Sequence, residues 1–214
     1  SEKGHPDHTL KHIEVGGVII SAANIVARVI EATEGDQYLY DYAGDNTAIH
    51  GGQGNDHITG HSGANEFYGE QGNDWLWGGQ DGDKLYGGIG DDRLDGNDGD
   101  DWLVGGAGND ELSGGLGADT YYFAKGFGHD RINNEAQEIV LDQIVFASDI
   151  HPNDVILVND GIEHRLQIQF RNSADRLDVI YQFQNHARFS AAFGISQIKF
   201  EATGEVWDSE MLAD

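Results

Sequence analysis

Aspartate recurs at Asp56, Asp74, Asp83, Asp92, Asp101, Asp110 and Asp119, each nine residues or a multiple of nine from the next, and Asn65 takes the remaining place in the series. A glycine stands two residues before every member except Asp83, which follows Asp81. Glycine reaches positive φ without steric cost, so this spacing makes sharp turns whose carbonyl oxygens serve neither helix nor sheet. The aspartate adds a hard anionic oxygen beside them. Hard oxygens on a flexible loop suit calcium, which takes about six to eight of them. The chain has no cysteine to offer a softer site.

The elements that must hold these turns share the same register. Residues 51 to 122 divide into GGQGNDHIT, GHSGANEFY, GEQGNDWLW, GGQDGDKLY, GGIGDDRLD, GNDGDDWLV, GGAGNDELS and GGLGADTYY. Every unit opens with glycine, and its eighth residue is apolar or aromatic, from Ile58 to Tyr121. The three residues after the sixth position form a short strand, with the central side chain inward and its neighbours outward. Turn and strand make half a coil, so two units complete one turn, and loops 18 residues apart stack at roughly 4.8 Å. One edge then stacks Asp56, Asp74, Asp92 and Asp110, and the other Asn65, Asp83, Asp101 and Asp119. Each edge has three gaps between successive members, which predicts six calcium ions.

Written as G-G-x-G-x-D-x-U-x, with U a large apolar residue, the unit resembles the nonapeptide of the repeat-in-toxin (RTX) family. The resemblance implies an all-β, right-handed parallel β-roll that binds calcium. In the family's pattern one loop supplies the carbonyls of its second and fourth positions and its aspartate. The next loop supplies the carbonyls of its first and third positions and its own aspartate. On the first edge this pattern sets Gly52, Gly54 and Asp56 against Gly69, Gln71 and Asp74. It then sets Gly72 and Asp74 against Gly87, Ile89 and Asp92, and Gly88, Gly90 and Asp92 against Gly105, Ala107 and Asp110. Gly106, Gly108 and Asp110 are closed by Asp130, in the G-x-G-x-D that follows the last unit. On the second edge Gly63 and Asn65 face Gly78, Gln80 and Asp83. Gly79, Asp81 and Asp83 face Gly96, Asp98 and Asp101, and Asn97, Gly99 and Asp101 face Gly114, Leu116 and Asp119. Side chains at the carbonyl positions His61, Glu70 and Asn97 are tolerable because the backbone does the binding. Asn65 replaces a carboxylate and Asp81 a turn glycine, so the sites around the second and fourth units depart most from the pattern.

Charge points the same way. The 214-residue chain carries a net charge of −26, and residues 51 to 122 hold 15 acidic residues against Lys84 and Arg93. Without cations this tract repels itself, and its inward residues bury too little apolar area to offset chain entropy. Metal binding and folding are then one equilibrium. At about 10 mM calcium and a Kd of about 1 mM, each site contributes roughly 1.4 kcal/mol, and six contribute on the order of 8 kcal/mol. That is comparable to the whole stability of a domain, and it vanishes at cytosolic calcium levels. The acidity argues against nucleic acid and anionic membranes as partners. No disulfide framework, signal peptide or transmembrane run is present. The opening SEKGHPD, without an initiator methionine, reads as an excised piece of a larger polypeptide.

Three regions separate: an N-terminal cap (1–41), the calcium-binding roll (42–130) and a β-rich C-terminal capping region (131–214). In the first, Ile25, Val26, Val29 and Ile30 have helical spacing but β-branched residues dominate, which leaves helix and strand equally open. Asp41 to His50 reads as a decayed unit, with Ile49 apolar and Thr47 in the aspartate's place. His5, His8 and His12 read as a solvated end. Neither H-E-x-x-H nor G-x-S-x-G occurs, so no active site is expected. Outward on the roll, Tyr68, Tyr86, Val104 and Tyr122 form a ladder on the face that carries Trp102, opposite Trp75 and Trp77. Flanking segments are expected to cover this ladder, with a ligand surface as the alternative.

Alternating runs predict strands at Ile144–Phe146, Val155–Val158, Leu166–Phe170, Leu177–Phe183 and Ile198–Phe200. DQIVF, DIHPNDVIL and ISQIKFEATGEVW resemble the region that follows RTX repeats, which implies a cap that seeds folding and export signals at the extreme C-terminus. The whole reads as a non-enzymatic calcium-binding module of a larger secreted bacterial toxin or surface adhesin. It would leave by type I secretion machinery and fold on calcium outside the cell or at its surface. One alternative is an adhesion module for a sugar, peptide or cell-surface ligand. Another is the non-catalytic C-terminal module of a secreted lipase, protease or alginate epimerase.

Overall fold

The computed structural model describes residues 12–15, 18–21, 29–31, 34–41, 48–134, 142–158, 165–181 and 195–208. Short apolar segments punctuated by glycine turns give strands throughout. In chain order they are β1 (His12–Val15), β2 (Val18–Ser21), β3 (Val29–Glu31), β4 (Tyr38–Tyr40), β5 (Ala48–Gln53), β6 (His57–Thr59) and β7 (Glu66–Gln71). They continue as β8 (Trp75–Gln80), β9 (Lys84–Ile89), β10 (Arg93–Asp98), β11 (Trp102–Ala107), β12 (Glu111–Leu116), β13 (Thr120–Phe123) and β14 (His129–Asn134). The last are β15 (Asp142–Phe146), β16 (Val155–Val158), β17 (Arg165–Phe170), β18 (Arg176–Tyr181), β19 (Ile195–Phe200) and β20 (Val206–Asp208). From β7 to β12 each strand runs on through the opening glycine of the next unit, so six residues pair where three were expected. The backbone ladder continues across the glycine because its N–H and C=O still need partners.

Two nine-stranded sheets face each other. One runs β16-β17-β18-β14-β12-β10-β8-β6-β4 and the other β20-β19-β15-β13-β11-β9-β7-β5-β3. Between β4 and β18, and between β3 and β19, all pairings are parallel. The register is the 18-residue step: Leu76, Leu94 and Leu112 align in one sheet, and Phe67, Leu85 and Leu103 in the other. This is a parallel β-solenoid, as the repeat implied. It extends past the regular units in both directions. Leu39 of β4 pairs with Ile58 across 19 residues, and Ile144 of β15 pairs with Tyr121 across 23. The N-terminal apolar run forms strands β2 and β3, while Ile25, Val26, His5 and His8 lie outside the described residues.

The core is thin in the roll and wide at its C-terminal end. Each unit inserts one fully buried side chain, in the series Ile49, Ile58, Phe67, Leu76, Leu85, Leu94, Leu103, Leu112 and Tyr121. One such side chain contributes about 2 kcal/mol, which ordering even a few residues of the unit consumes. Beyond Tyr121 the sheets enclose Phe123, Phe127, Phe146, Phe170 and Phe200 in edge-on and tilted contacts with centroids 5.0–6.2 Å apart. That end carries an apolar core of its own kind. The expected strands at 144–146, 155–158, 166–170 and 198–200 are present, and the 177–183 strand is described to Tyr181.

Asp178 ties three strands together at this end. It accepts from Arg176 Nη2 (2.7 Å) and Nε (3.1 Å), from Gln167 Nε2 (3.0 Å), and pairs with His129 Nε2 (3.2 Å). Burial pushes its carboxyl up, but the hydrogen bonds from Arg176, His129 and Gln167 outweigh it and hold the group below its usual range. Its contribution is therefore present at neutral pH and is lost only as pH falls below the ordinary aspartate range. Asp178→Ala leaves the partly exposed Arg176 without its partner and is expected to cost about 1–2 kcal/mol. Thermal melts in calcium should show that loss, with the bound calcium count unchanged.

Candidate metal centre

Both edges of the roll carry a ladder of aspartates. Along one, the Asp56 N–H donates to Asp74 Oδ1 (2.8 Å), Asp74 N–H to Asp92 Oδ1 (2.8 Å), Asp92 N–H to Asp110 Oδ1 (2.9 Å) and Asp110 N–H to Asp130 Oδ1 (2.9 Å). Along the other, Asn65 N–H donates to Asp83 Oδ1 (2.7 Å), Asp83 N–H to Asp101 Oδ1 (2.7 Å), Asp101 N–H to Asp119 Oδ1 (3.0 Å) and Asp119 N–H to Asp142 Oδ1 (2.9 Å). The stacks read from the sequence are thus the stacks in the fold, and Asp130 closes the first of them. Asp142 closes the second, and sequence reasoning missed it. It lies 23 residues after Asp119, yet it opens D-x-I-V, the same aspartate–strand signature. From Asp56 to Asp130 and from Asn65 to Asp142 each edge has four gaps, one per hydrogen bond. The first edge carries a further rung below, where the Gln37 N–H donates to Asp56 Oδ1 (2.9 Å).

A second ladder on the first edge runs in the opposite sense. The N–H groups of Asn55, Asn73, Asp91 and Asn109 donate to the Oδ1 atoms of Asp36, Asn55, Asn73 and Asp91, each one turn below. Two successive turn N–H groups are therefore satisfied by side chains from opposite neighbours. Most of what remains unsatisfied along the two edges is carboxylate oxygen. The Oδ2 atoms of Asp56, Asp74, Asp83, Asp92, Asp101, Asp110, Asp119 and Asp130 are buried with no hydrogen-bond partner. An orphaned buried carboxylate oxygen is costly. Burial accordingly pushes Asp92, Asp119 and Asp130 up to about 8, Asp83 and Asp101 to about 7, and Asp56 and Asp110 to about 6. The N–H each accepts opposes that shift, and neighbouring carboxylates add to it.

The opening glycines show where these oxygens point. A Cβ on Gly87 would fall on Asp92 Oδ2 and lie 2.5 Å from Gly105 O; one on Gly78 would fall on Asp83 Oδ2 and lie 2.9 Å from Gly96 O. Gly69 over Asp74 and Gly96 over Asp101 repeat the arrangement. In each case a carboxylate oxygen and a carbonyl of the next turn converge on space that only a glycine leaves open. Among the described residues no three carboxylate or imidazole side chains gather at one point. A cation here must take most of its ligands from the backbone, and an all-oxygen, backbone-rich set fits calcium rather than zinc or copper.

The turns tolerate side chains at a price in φ. Glu70, Asp81 and Asn97 occupy left-handed conformations at φ 77°, 71° and 73°, which costs roughly 1–2 kcal/mol for a residue with a Cβ. At Gly90 the limit is harder, because a Cβ would collide with the carbonyl oxygen of Gly72. Asn65 departs from the aspartates in one respect: its Nδ2 donates to Gly63 O (3.0 Å) and, at a longer 3.5 Å, to Gly78 O, while its buried Oδ1 has no partner. Asp81 Oδ2 accepts the Gly63 N–H (3.0 Å).

On the outer faces, the aromatic residues stack from strand to strand along the axis of the roll. His50, Tyr68 and Tyr86 lie parallel with centroids 4.4 and 4.7 Å apart. Opposite, Tyr38, His57 and Trp75 continue at 4.8 and 5.2 Å, with the Arg93 guanidinium 5.1 Å from Trp75. Tyr122 meets Glu201 of the C-terminal segment at 3.2 Å. Trp77 is 41 % exposed.

No curated protein matches the chain. The profile of the RTX calcium-binding nonapeptide repeat matches in four copies, at residues 31–65, 50–85, 86–121 and 95–132. The outermost copies reach Asp36 below the regular units and Asp130 above them, the residues at which the hydrogen-bond ladders of the first edge begin and end, while the ladder of the second edge runs on to Asp142. Residues 31–132 of this chain belong to the RTX calcium-binding nonapeptide repeat family.

Proposed function

We propose that the chain is the calcium-binding, non-catalytic module of a larger secreted bacterial toxin or surface adhesin. It leaves the cell by type I secretion and folds when it meets extracellular calcium. The observation that carries this reading is the row of buried Oδ2 atoms without partners, those of Asp56, Asp74, Asp83, Asp92 and Asp101 converging with a carbonyl of the next turn. Calcium in the gap satisfies the oxygen and cancels the charge that otherwise holds the turns apart. The aspartates and the carbonyls of the second, fourth, first and third positions serve as ligands, as the family pattern assigns them, with Asp142 added at the end of the second edge. Residues 1–41 and 131–214 serve as the caps of the roll. The apolar core around Phe123, Phe146 and Phe200 supports the role of the C-terminal part as a folding seed, since it does not depend on metal. No helix among the described residues is long and apolar enough to cross a membrane.

A crystal structure in calcium, with anomalous scattering, tests the placement. Ions should lie on both edges, between Asp74 and Asp92 as well as between Asp83 and Asp101. Ions on a single edge would rule out the shared-gap arrangement. Magnesium should replace calcium poorly, because it demands near-octahedral geometry and sheds water reluctantly.

A second reading, a ligand-binding adhesion surface, rests on a groove of about 340 Å³ beside Trp77, lined by His61, Gln80, Asn97 and Asp98. Its exposed indole and side-chain amides have the chemistry for a neutral sugar or peptide.

A further inference from the structure

We infer that the gap between the turns of Asn65 and Asp83 closes by hydrogen bonds in place of a calcium ion. The inference rests on the calcium reading of the other gaps and assigns this one differently. In the family pattern the carbonyls of Gly63, fourth in its unit, and Gly78, first in the unit above, are ligands of the ion in this gap. Both already have a donor. Asn65 Nδ2 reaches Gly63 O at 3.0 Å and Gly78 O at 3.5 Å. The space above the opening glycine tells the same story. A Cβ on Gly69, Gly78, Gly87 or Gly96 would meet carboxylate and carbonyl oxygens, whereas one on Gly60 would meet Gly78 O and, 2.7 Å away, the Asn65 amide nitrogen. An amide NH₂ carries two positive hydrogens and no acceptor, so it can satisfy two carbonyls while repelling a cation from the same point.

Asp81, the other departure from the repeat, acts on the same loop. Its Oδ2 accepts the Gly63 N–H at 3.0 Å, and it holds φ at 71° to do so. Gly63 is thus gripped at both ends of its peptide groups: its N–H by a side chain from the turn above and its C=O by the side chain two residues on. The two substitutions that look independent in the sequence form one clasp. Asp81 does not return the missing carboxylate to the gap, because its oxygen is directed to that N–H. The first stacked pair of turns on this edge therefore holds together at any calcium level that the rest of the roll permits, and the edge binds one ion fewer than it has gaps.

The full-length chain crystallised in saturating calcium decides it. Anomalous density is expected between Asp83 and Asp101 and between Asp101 and Asp119, with none between Asn65 and Asp83. Native mass spectrometry should count one more calcium on Asn65→Asp than on the unsubstituted chain. An ion in the Asn65–Asp83 gap, or an unchanged count in the variant alongside bound calcium elsewhere, would overturn the clasp by showing Asn65 Oδ1 already ligating. A chain with all gaps empty would overturn the calcium reading itself, and the Asp83–Asp101 gap distinguishes that result.

Discussion

Metal-stripped protein at neutral pH is expected to lose the β signal of residues 51–122, and to regain part of it on acidification. The sign follows from the buried carboxyls. In the folded, metal-free roll, burial raises Asp92, Asp119 and Asp130 to about 8, Asp83 and Asp101 to about 7, and Asp56 and Asp110 to about 6, against 3.8 ordinarily. A raised folded-state value means that the folded form holds protons the unfolded form has released. The stability this represents is fully present below about pH 4 and is lost as pH rises through about 6 to 8. Calcium acts in the opposite sense, because it must displace those protons. Its midpoint should therefore rise as pH falls from about 8 to about 6. Far-UV circular dichroism of metal-stripped protein, with calcium added at several pH values, measures both arms. A fully folded metal-free roll at neutral pH, or a midpoint indifferent to pH, would sink the coupling of metal and fold.

The second large effect separates ligand from bystander within three residues. Asp92 is 3 % exposed, its Oδ1 accepts the Asp74 N–H, and its Oδ2 has no partner. It borders two gaps, so Asp92→Ala removes a carboxylate from two sites and leaves carbonyls aimed at nothing. With each site contributing roughly 1.4 kcal/mol at about ten times its Kd, the loss is about 3 kcal/mol, seen as a several-fold higher calcium midpoint and a shallower transition. Asp95 stands on the outward face of β10, in register with Trp77. Asp95 lies outside the gaps and acts on Asp101 only through its charge, so Asp95→Ala should shift the midpoint much less than Asp92→Ala does. Calcium titrations followed by tryptophan fluorescence compare the two. Equal shifts would mean that diffuse negative charge attracts the ion and that position in the turn does not matter.

The regular part of this fold was legible because its determinants are local and repeated. Glycine at the turn, aspartate two residues later and an apolar residue two beyond that each act within nine positions. Parallel stacking then forces every 18-residue neighbour into register, so Asp74 over Asp56 and Leu94 over Leu76 follow from counting. Where the count breaks, only the tertiary structure supplies the partner. Asp142 joins Asp119 across 23 residues, Asp130 joins Asp110 across 20, and Leu39 joins Ile58 across 19, because backbone pairing restores the register after the chain has changed its step. The sense of each side chain was likewise hidden. The fifth-position residues reach one turn down for their N–H donors' partners and the sixth-position aspartates offer Oδ1 to the turn below, a choice that depends on the neighbouring turn and not on the unit. Asn65 and Asp81 are 16 residues apart and read as separate lapses; stacking one turn on the next brings both to Gly63. Spacing determined which turns meet. The directions of their hydrogen bonds, which leave Oδ2 bare at Asp92 and turn the Asn65 amide nitrogen onto Gly63 O, became visible only with the turns stacked.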